Sequence, residues 1–329
     1  MSTTTSPVTP TPPDRLGAGD ERAGAAPMRV AALINASAGT VEREEATALG
    51  SILADAFNRH GLSADLQFLP GDQLRDAAEA ARLKASSGAI DAVAVGGGDG
   101  TISTVAAILA GTGIPLAVLP LGTLNHFAKD LGIPADLDEA VAVISAGNIR
   151  PVDVATVNGE VFVNNSSIGI YPYMVVDRER RRSRHGQSKW VAMFWALLRM
   201  LRYFPLRRLS IRAEGWSEPC RTPCVFVGNN EYCLDASSFG TRERLDAGTL
   251  CLYVARQQSR LALLWLAFRS AIGLLDRKQD LRIFKSSSVD ISSRTSRLLV
   301  AMDGEVSVMR SPLEYRVRPG ALRVFVPQA

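Results

Sequence analysis

Two groups of residues have the types and spacing to do chemistry. The first is Gly96-Gly97-Gly98-Asp99-Gly100-Thr101, which follows an apolar run ending at Val95 and precedes a helical pattern from about Ile102. Glycines let a backbone turn sharply and come close to a ligand. Amides at the start of the following helix then favour an anionic group such as phosphate. Asp99 puts a carboxylate beside that phosphate position, where it repels unless a cation such as Mg²⁺ bridges the two. The cluster therefore reads as a nucleotide triphosphate site with metal. It is neither a Walker A motif nor GxGxxG. A plain strand–helix turn is the alternative, and three consecutive glycines followed by Asp-Gly-Thr exceed what such a turn needs. The second group is Asp303-Gly304-Glu305. On an extended chain the two carboxylates face one side, whereas Gly304 also permits a turn. A hydroxyl attacking a phosphate needs a proton acceptor, and these acids are candidates; alone, the tripeptide reads better as a hairpin tip, and the glycine motif upstream turns the balance.

Strands and helices must carry these groups. From Met28 the pattern alternates: strands at 28–35, 64–69, 90–95 and 114–120, with helices at 42–60, 73–86, 102–109, 124–131 and 138–146 between and after them. Strands spaced by helices imply βαβ units and a parallel sheet, with ligands at the carboxyl ends of its strands. After Gly147 the pattern changes to short strands at 151–157, 160–165, 209–213, 224–228, 249–254, 288–292, 297–302, 315–318 and 321–326. Asn158-Gly159 and Pro319-Gly320 read as turns between them. Helices are expected near 190–204 and 259–275. The fold class is thus an α/β N-terminal nucleotide-binding domain, 28–147, followed by a mainly β C-terminal domain, 148–329. Residues 1–27, rich in Ser, Thr, Pro, Ala and Gly, read as a disordered tail without the features of a secretory signal.

The chain has 329 residues, 47% of them hydrophobic and 21% charged, which excludes a wholly disordered or fibrous protein. A net charge of +4 suits an acidic ligand or an anionic membrane surface and is too small to argue for nucleic acid. Cys220, Cys224, Cys233 and Cys251 have no nearby histidine and lack zinc-site spacing, so they read as reduced cysteines of a cytoplasmic protein. Neither apolar stretch, 190–198 nor 261–275, is long enough to span a bilayer. The basic run Arg178–Lys189 followed by the apolar, aromatic segment 190–204 has the makings of a peripheral lipid-binding face. A solvated loop and a packed helix are the alternative there. No interleaved stacking motif supports nucleic acid.

Gly-Gly-Gly-Asp-Gly-Thr resembles the nucleotide motif of the diacylglycerol kinase catalytic family, which includes bacterial lipid kinases and sphingosine kinases. NAD kinases and phosphofructokinases carry related motifs. Ile34-Asn35-Ala36-Ser37-Ala38-Gly39 resembles the family's first-strand N-P-x-S-G, with Ala36 in place of proline. Gly71-Asp72, Leu119-Pro120-Leu121-Gly122-Thr123-Leu124-Asn125 and Met302-Asp303-Gly304-Glu305 resemble three further motifs. The resemblance implies a C-terminal β-sandwich, a site in the cleft between domains, and transfer of a phosphoryl group from ATP to a lipid hydroxyl with Mg²⁺. It implies that Asn35, Gly97, Gly98, Asp99, Gly100, Thr101, Thr123, Asn125 and His126 line the nucleotide. It also implies that Asp99 and Asp72 serve the metal, and that Glu305 is the general base with Asp303 nearby.

The sequence departs from the family in two places. His126 stands where relatives have the aspartate of N-D-F, and it cannot replace a fixed negative charge; its imidazole is expected to line the site, facing phosphate or Asp99, and a helix-cap position with no catalytic duty is the alternative. Arg242 stands where an acidic ligand of a second, structural Mg²⁺ is expected, and Ala247 replaces an aspartate beside Asp246, so no second metal is assigned. The reading is a cytoplasmic, membrane-associating lipid kinase acting on diacylglycerol or a related lipid, and an oligomer is compatible with every feature. The alternatives are an NAD kinase, whose Asn-Glu dipeptide Asn230-Glu231 resembles, and a nucleotide- or lipid-binding regulator impaired at His126.

Overall fold

The computed structural model describes residues 26–36, 43–169, 171–172, 207–233, 240–256 and 281–328. The first part alternates: β1 (Arg29–Asn35), α1 (Arg43–Arg59), β2 (Ser63–Leu69), α2 (Leu74–Ser86), β3 (Ala92–Gly97), α3 (Asp99–Leu109), β4 (Pro115–Pro120), α4 (His126–Asp130) and α5 (Leu137–Ala146). β3 is buried along its whole length, as a parallel strand covered on both faces must be, so its sequence is continuously apolar rather than alternating. α5 starts on Asp136, whose side chain accepts from the Glu139 N–H, and ends at Gly147 in the left-handed conformation that helix ends favour.

Strands dominate the described residues after α5: β5 (Ile149–Val157), β6 (Glu160–Phe162), β7 (Asn165–Gly169), β8 (Arg207–Ala213), β9 (Trp216–Thr222), β10 (Cys224–Asn229), β11 (Leu250–Ala255), β12 (Leu281–Ser286), β13 (Ser288–Ser293), β14 (Arg297–Met302), β15 (Glu305–Arg310) and β16 (Leu313–Phe325). One sheet runs β2-β1-β3-β4-β16-β13-β8-β9, with β5 paired to β16 and to β6; the other runs β12-β11-β10-β7-β14-β15. β2, β1, β3 and β4 are mutually parallel, and their order reverses direction between β1 and β3. In open α/β sheets the ligand crevice lies outside the carboxyl ends of the strands at such a reversal. Here those ends are Asn35 and Gly97. The inner faces of the β-rich sheets meet in a core that includes Phe162, Ile168, Ile211, Val227, Val300 and Tyr315.

Three strands differ from expectation by being present: β9, β12 and β15. All three close the edge of a sheet. An edge strand needs no strict inside–outside alternation, and their exposure is irregular, so period-2 patterning does not reveal them. β9 even carries Pro219, which an edge tolerates. The expected strand over 160–165 is two strands, β6 and β7. Conversely, Pro319-Gly320 is not a turn between two strands. β16 runs straight through it with a register shift between Arg318 and Leu322, and the Gly320 N–H donates to buried Asp153 at 2.9 Å. Asn158-Gly159 does form the expected hairpin, both residues having positive φ. The basic run 178–189 and the helices expected near 190–204 and 259–275 lie outside the described residues, as does most of the tail. Among the described residues no helix is long and apolar enough to cross a membrane.

Candidate active site

β3 delivers Gly97 to the crevice and α3 begins two residues later, capped by Gly98 with no side chain closing its end. The first amides of α3 are therefore presented to whatever lies in front of them. Backbone approach is tight here. A Cβ on Gly122 would lie 2.4 Å from the Gly98 Cα, so the β4–α4 loop crosses the glycine turn with no room for a side chain. Asn35, at the end of β1, donates from Nδ2 to the Thr101 Oγ1 at 2.8 Å. Gly71 faces the same amide, and exposed Asp72 sits beside it on the turn before α2. The ends of β1, β2 and β3 and the start of α3 thus converge.

Asp99 has a second duty. Its Oδ1 accepts from the Phe127 N–H at 3.0 Å and its Oδ2 from the His126 N–H at 3.2 Å. The carboxylate is therefore docked on the N-terminus of α4, and the group of His126 that meets Asp99 is its backbone amide, not the expected imidazole. The His126 residue is exposed. Asn125 also differs from a nucleotide contact. It adopts a left-handed conformation with φ 51°, and its Nδ2 donates to the carbonyls of Pro120 at 3.1 Å and Gly122 at 2.8 Å. The asparagine closes the loop on itself, leaving Thr123 and Leu124 exposed at its tip.

The second domain reaches this place through the β14–β15 hairpin. Glu305 lies against the first turn of α3: a Cβ on Gly100 would be 3.4 Å from the Glu305 Oε1. Asp303 does not face the reacting position as expected. Its carboxylate accepts from the Ser103 hydroxyl at 2.7 Å. It also accepts from the backbone N–H groups of Val163, Asn164 and Asn165 at 2.8, 2.8 and 2.9 Å. Burial pushes this carboxyl above the usual range, and the four donors work in the opposite direction. Asp303 fastens the hairpin to α3 and to the β6–β7 connection, which leaves Glu305 as the acid at the crevice.

Arg242 is buried and pairs with Asp130, the last residue of α4, through Nε at 2.8 Å. Neighbouring Asp246 is held below the usual carboxylate range: desolvation raises it, but Arg244 and Arg150 pair with it and prevail. Asn229 is sunk into the interior, donating to the Asp153 and Val163 carbonyls, and Glu231 pairs with Lys285. In the Asn229-Asn230-Glu231 run, Asn230 accepts the Ala247 N–H through its Oδ1 at 3.1 Å, while the Asn229 Oδ1 and Asn230 Nδ2 are buried with no hydrogen-bond partner. Sequence reading missed the parts played by Gly122, Ser103 and Asp130, and it noticed Arg242 only as a departure from a metal site, not as the partner of Asp130. Gly122 lay inside a recognised motif; the others carry no local signal.

Residues 29–157 match the family model described as diacylglycerol kinase catalytic domain. Residues 174–326 match the model described as YegS C-terminal NAD kinase beta sandwich-like domain. The chain carries, over residues 29–157, a domain of the diacylglycerol kinase catalytic family. The chain is 28% identical over 261 residues to a protein of Salmonella arizonae named probable lipid kinase YegS, covering 78% of this chain and 83% of that protein. An uncharacterized protein of Synechocystis is also 28% identical, and there the chain spans 54% of the relative's length. Among solved structures, a diacylglycerol kinase from Bacillus anthracis superposes with TM-score 0.63 at 25% identity, covering 91% of this chain and 97% of that one. Yeast NADH kinase, at 13% identity and TM-score 0.51 over 93% of this chain and 85% of that one, shares the fold. The α/β domain and the antiparallel sandwich that the two matches imply are both present.

Proposed function

We propose that this protein transfers the γ-phosphoryl group of ATP to a hydroxyl of diacylglycerol or a related lipid at a membrane surface. The observation that carries the reading is the position of Glu305, which the second domain sets against Gly100 on the uncapped first turn of α3. A proton acceptor and a phosphate-binding turn on separate domains define a cleft in which a hydroxyl can meet a nucleotide. Asn35, Gly97, Gly98, Gly100, Thr101 and Thr123 line the nucleotide side. Glu305 takes the proton as the lipid oxygen bonds to the γ-phosphorus; the bond from that phosphorus to the bridging oxygen breaks and ADP leaves. Among the described residues there is no cluster of three or more acidic, His or Cys side chains able to hold a metal alone. That suits Mg²⁺, which is usually held by substrate phosphates and one or two carboxylates. Asp99, with Asp72 nearby, is the protein's contribution, and the ion would neutralise charge developing on the phosphoryl oxygens. The basic run 178–189 and the apolar segment after it are the proposed membrane-facing part. His126 does not make the protein an inactive regulator on this reading, because Asp99 and Glu305 both remain.

The test is transfer of label from [γ-³²P]ATP to vesicles containing diacylglycerol, monoacylglycerol, sphingosine or phosphatidylglycerol, and to NAD. Label in a lipid is the expected result, and label in NAD alone overturns it. Glu305→Gln is expected to lower turnover by ~10²–10⁴-fold with unchanged ATP affinity. Loss of ATP binding with turnover kept at saturation would make Glu305 structural.

A further inference from the structure

The contacts around Arg242 form a closed path that begins and ends on α3, at Asp99 and Ser103. Asp99, at the start of α3, holds the N-terminal amides of α4. Asp130, at the far end of α4, takes the Arg242 backbone N–H at 3.0 Å and its Nε–H at 2.8 Å. The same guanidinium donates from Nη1 to the carbonyls of Val163 at 2.7 Å and Asn229 at 2.9 Å, and from Nη2 to the Asn164 Oδ1 at 2.7 Å. Val163 and Asn164 turn their own amides onto Asp303. Asp303 receives the Ser103 hydroxyl, back on α3. Two residues after Asp303 comes Glu305.

We propose that Arg242 is a positioning residue: it closes this ring and thereby holds Glu305 at the phosphate-binding turn. The ring joins both domains, and its one cation is buried with its partner, the two side chains being 0% and 1% exposed. A buried ion pair is weak as a source of stability, since replacing it by apolar residues of similar volume is often neutral or better. Its use here is geometric. Guanidinium is flat and rigid, and it serves Asp130, Val163, Asn229 and Asn164 at once; it also lies 5.4 Å from the Tyr232 ring centre. A lysine, with one compact charge and three donors, cannot span these partners. Asp99, where the ring starts, is its one member on the nucleotide side; the ring touches neither Asn35 nor Thr101, and the links opened below lie away from all three.

The inference rests on the kinase reading for its catalytic readout, and on a second readout that needs no catalysis. Arg242→Met alone would strand Asp130 as an unpaired buried charge and could unfold the protein. The decisive variant is therefore Arg242→Met with Asp130→Leu, which opens the ring and leaves no charge behind. Ser103→Ala opens it at another link with little change in bulk. Both should bind ATP as the wild type does and lower turnover at saturating ATP; a displacement of about 1 Å can cost ~10²-fold. Arg242→Lys should not restore turnover. Independently, hydrogen exchange of the amides at 303–310 should quicken in both variants. If the double variant is folded and keeps wild-type turnover and exchange, the inference falls. If the double variant does not fold, wild-type exchange and turnover in Ser103→Ala are enough to overturn it. If the wild type phosphorylates no lipid, the exchange result alone decides between the ring and an incidental cluster, and the failure belongs to the kinase reading.

Discussion

Asp99 is asked to serve a metal-bound nucleotide with a carboxylate that already receives two backbone amides. Those amides begin α4, where a negative charge also meets the positive end of the helix. The two demands agree: α4 fixes the direction in which the remaining lone pairs point. Asp99→Asn is therefore expected to do more than abolish turnover. The side-chain amide can accept from only one of these N–H groups and confronts the other with a donor, and a lost hydrogen bond of this kind costs about 0.5–1.5 kcal/mol. Turnover at saturating Mg²⁺ should collapse and the melting temperature should fall. A full-strength melt with turnover within a few-fold of wild type would remove Asp99 from both roles. At this scale the sequence is most legible in the glycine motif, because glycine and aspartate at a strand–helix junction have few other uses. It is least legible at Arg242, whose partner Asp130 is 112 residues away and whose place in the chain signals only a departure from a metal site.

The elements show the same division. The buried parallel strands announce themselves by composition, and their lengths follow from where Gly and Pro stand. The edge strands β9, β12 and β15 do not, because an exposed side imposes no apolar period. The loss matters for the site: β15 begins at Glu305, so the residue proposed as base stands at the first position of a strand rather than at a free hairpin tip. The crossing of the β4–α4 loop over the glycine turn yields an asymmetric test. A Cβ on Gly122 meets backbone at 2.4 Å, whereas a Cβ on Gly98 stays 3.8 Å from the Gly122 Cα, an ordinary contact. Gly122→Ala is expected to destabilise by ~1–3 kcal/mol, the usual cost of overpacking, because backbone cannot swing aside. Gly98→Ala should melt close to wild type and weaken ATP binding. Thermal melts and ATP titrations of the two variants check this; equal melts would mean that the crossing is not tight.

Across the whole molecule, groups that must stay neutral when buried set an alkaline limit. Burial pushes the Cys224 thiol from 9.0 to about 11, and it raises the phenols of Tyr253 and Tyr315. A raised folded-state value means that the stability is fully present below the unfolded value and lost as pH rises through the folded one. The urea midpoint should therefore fall between pH 9.0 and about 11, and Cys224→Ala should make that fall shallower. A midpoint flat across this interval would show that the thiol ionises as freely folded as unfolded.

β16 has a consequence for how such a chain comes into being. It is the last strand, yet it pairs in parallel with β4 through Arg323↔Pro115 and Val324↔Leu116, and Leu322, Val324 and Phe325 lie in the core of the first domain. A ribosome builds from the N-terminus, so the nucleotide-binding half emerges early with one flank of its sheet bare and a gap in its interior. That half must wait, sticky-edged, until β16 leaves the exit tunnel and slots into place. Synthesis of β16 is thereby felt in the first domain: a chain cut short before it would keep β1 to β4 yet lack Leu322, Val324 and Phe325 from the core that covers them.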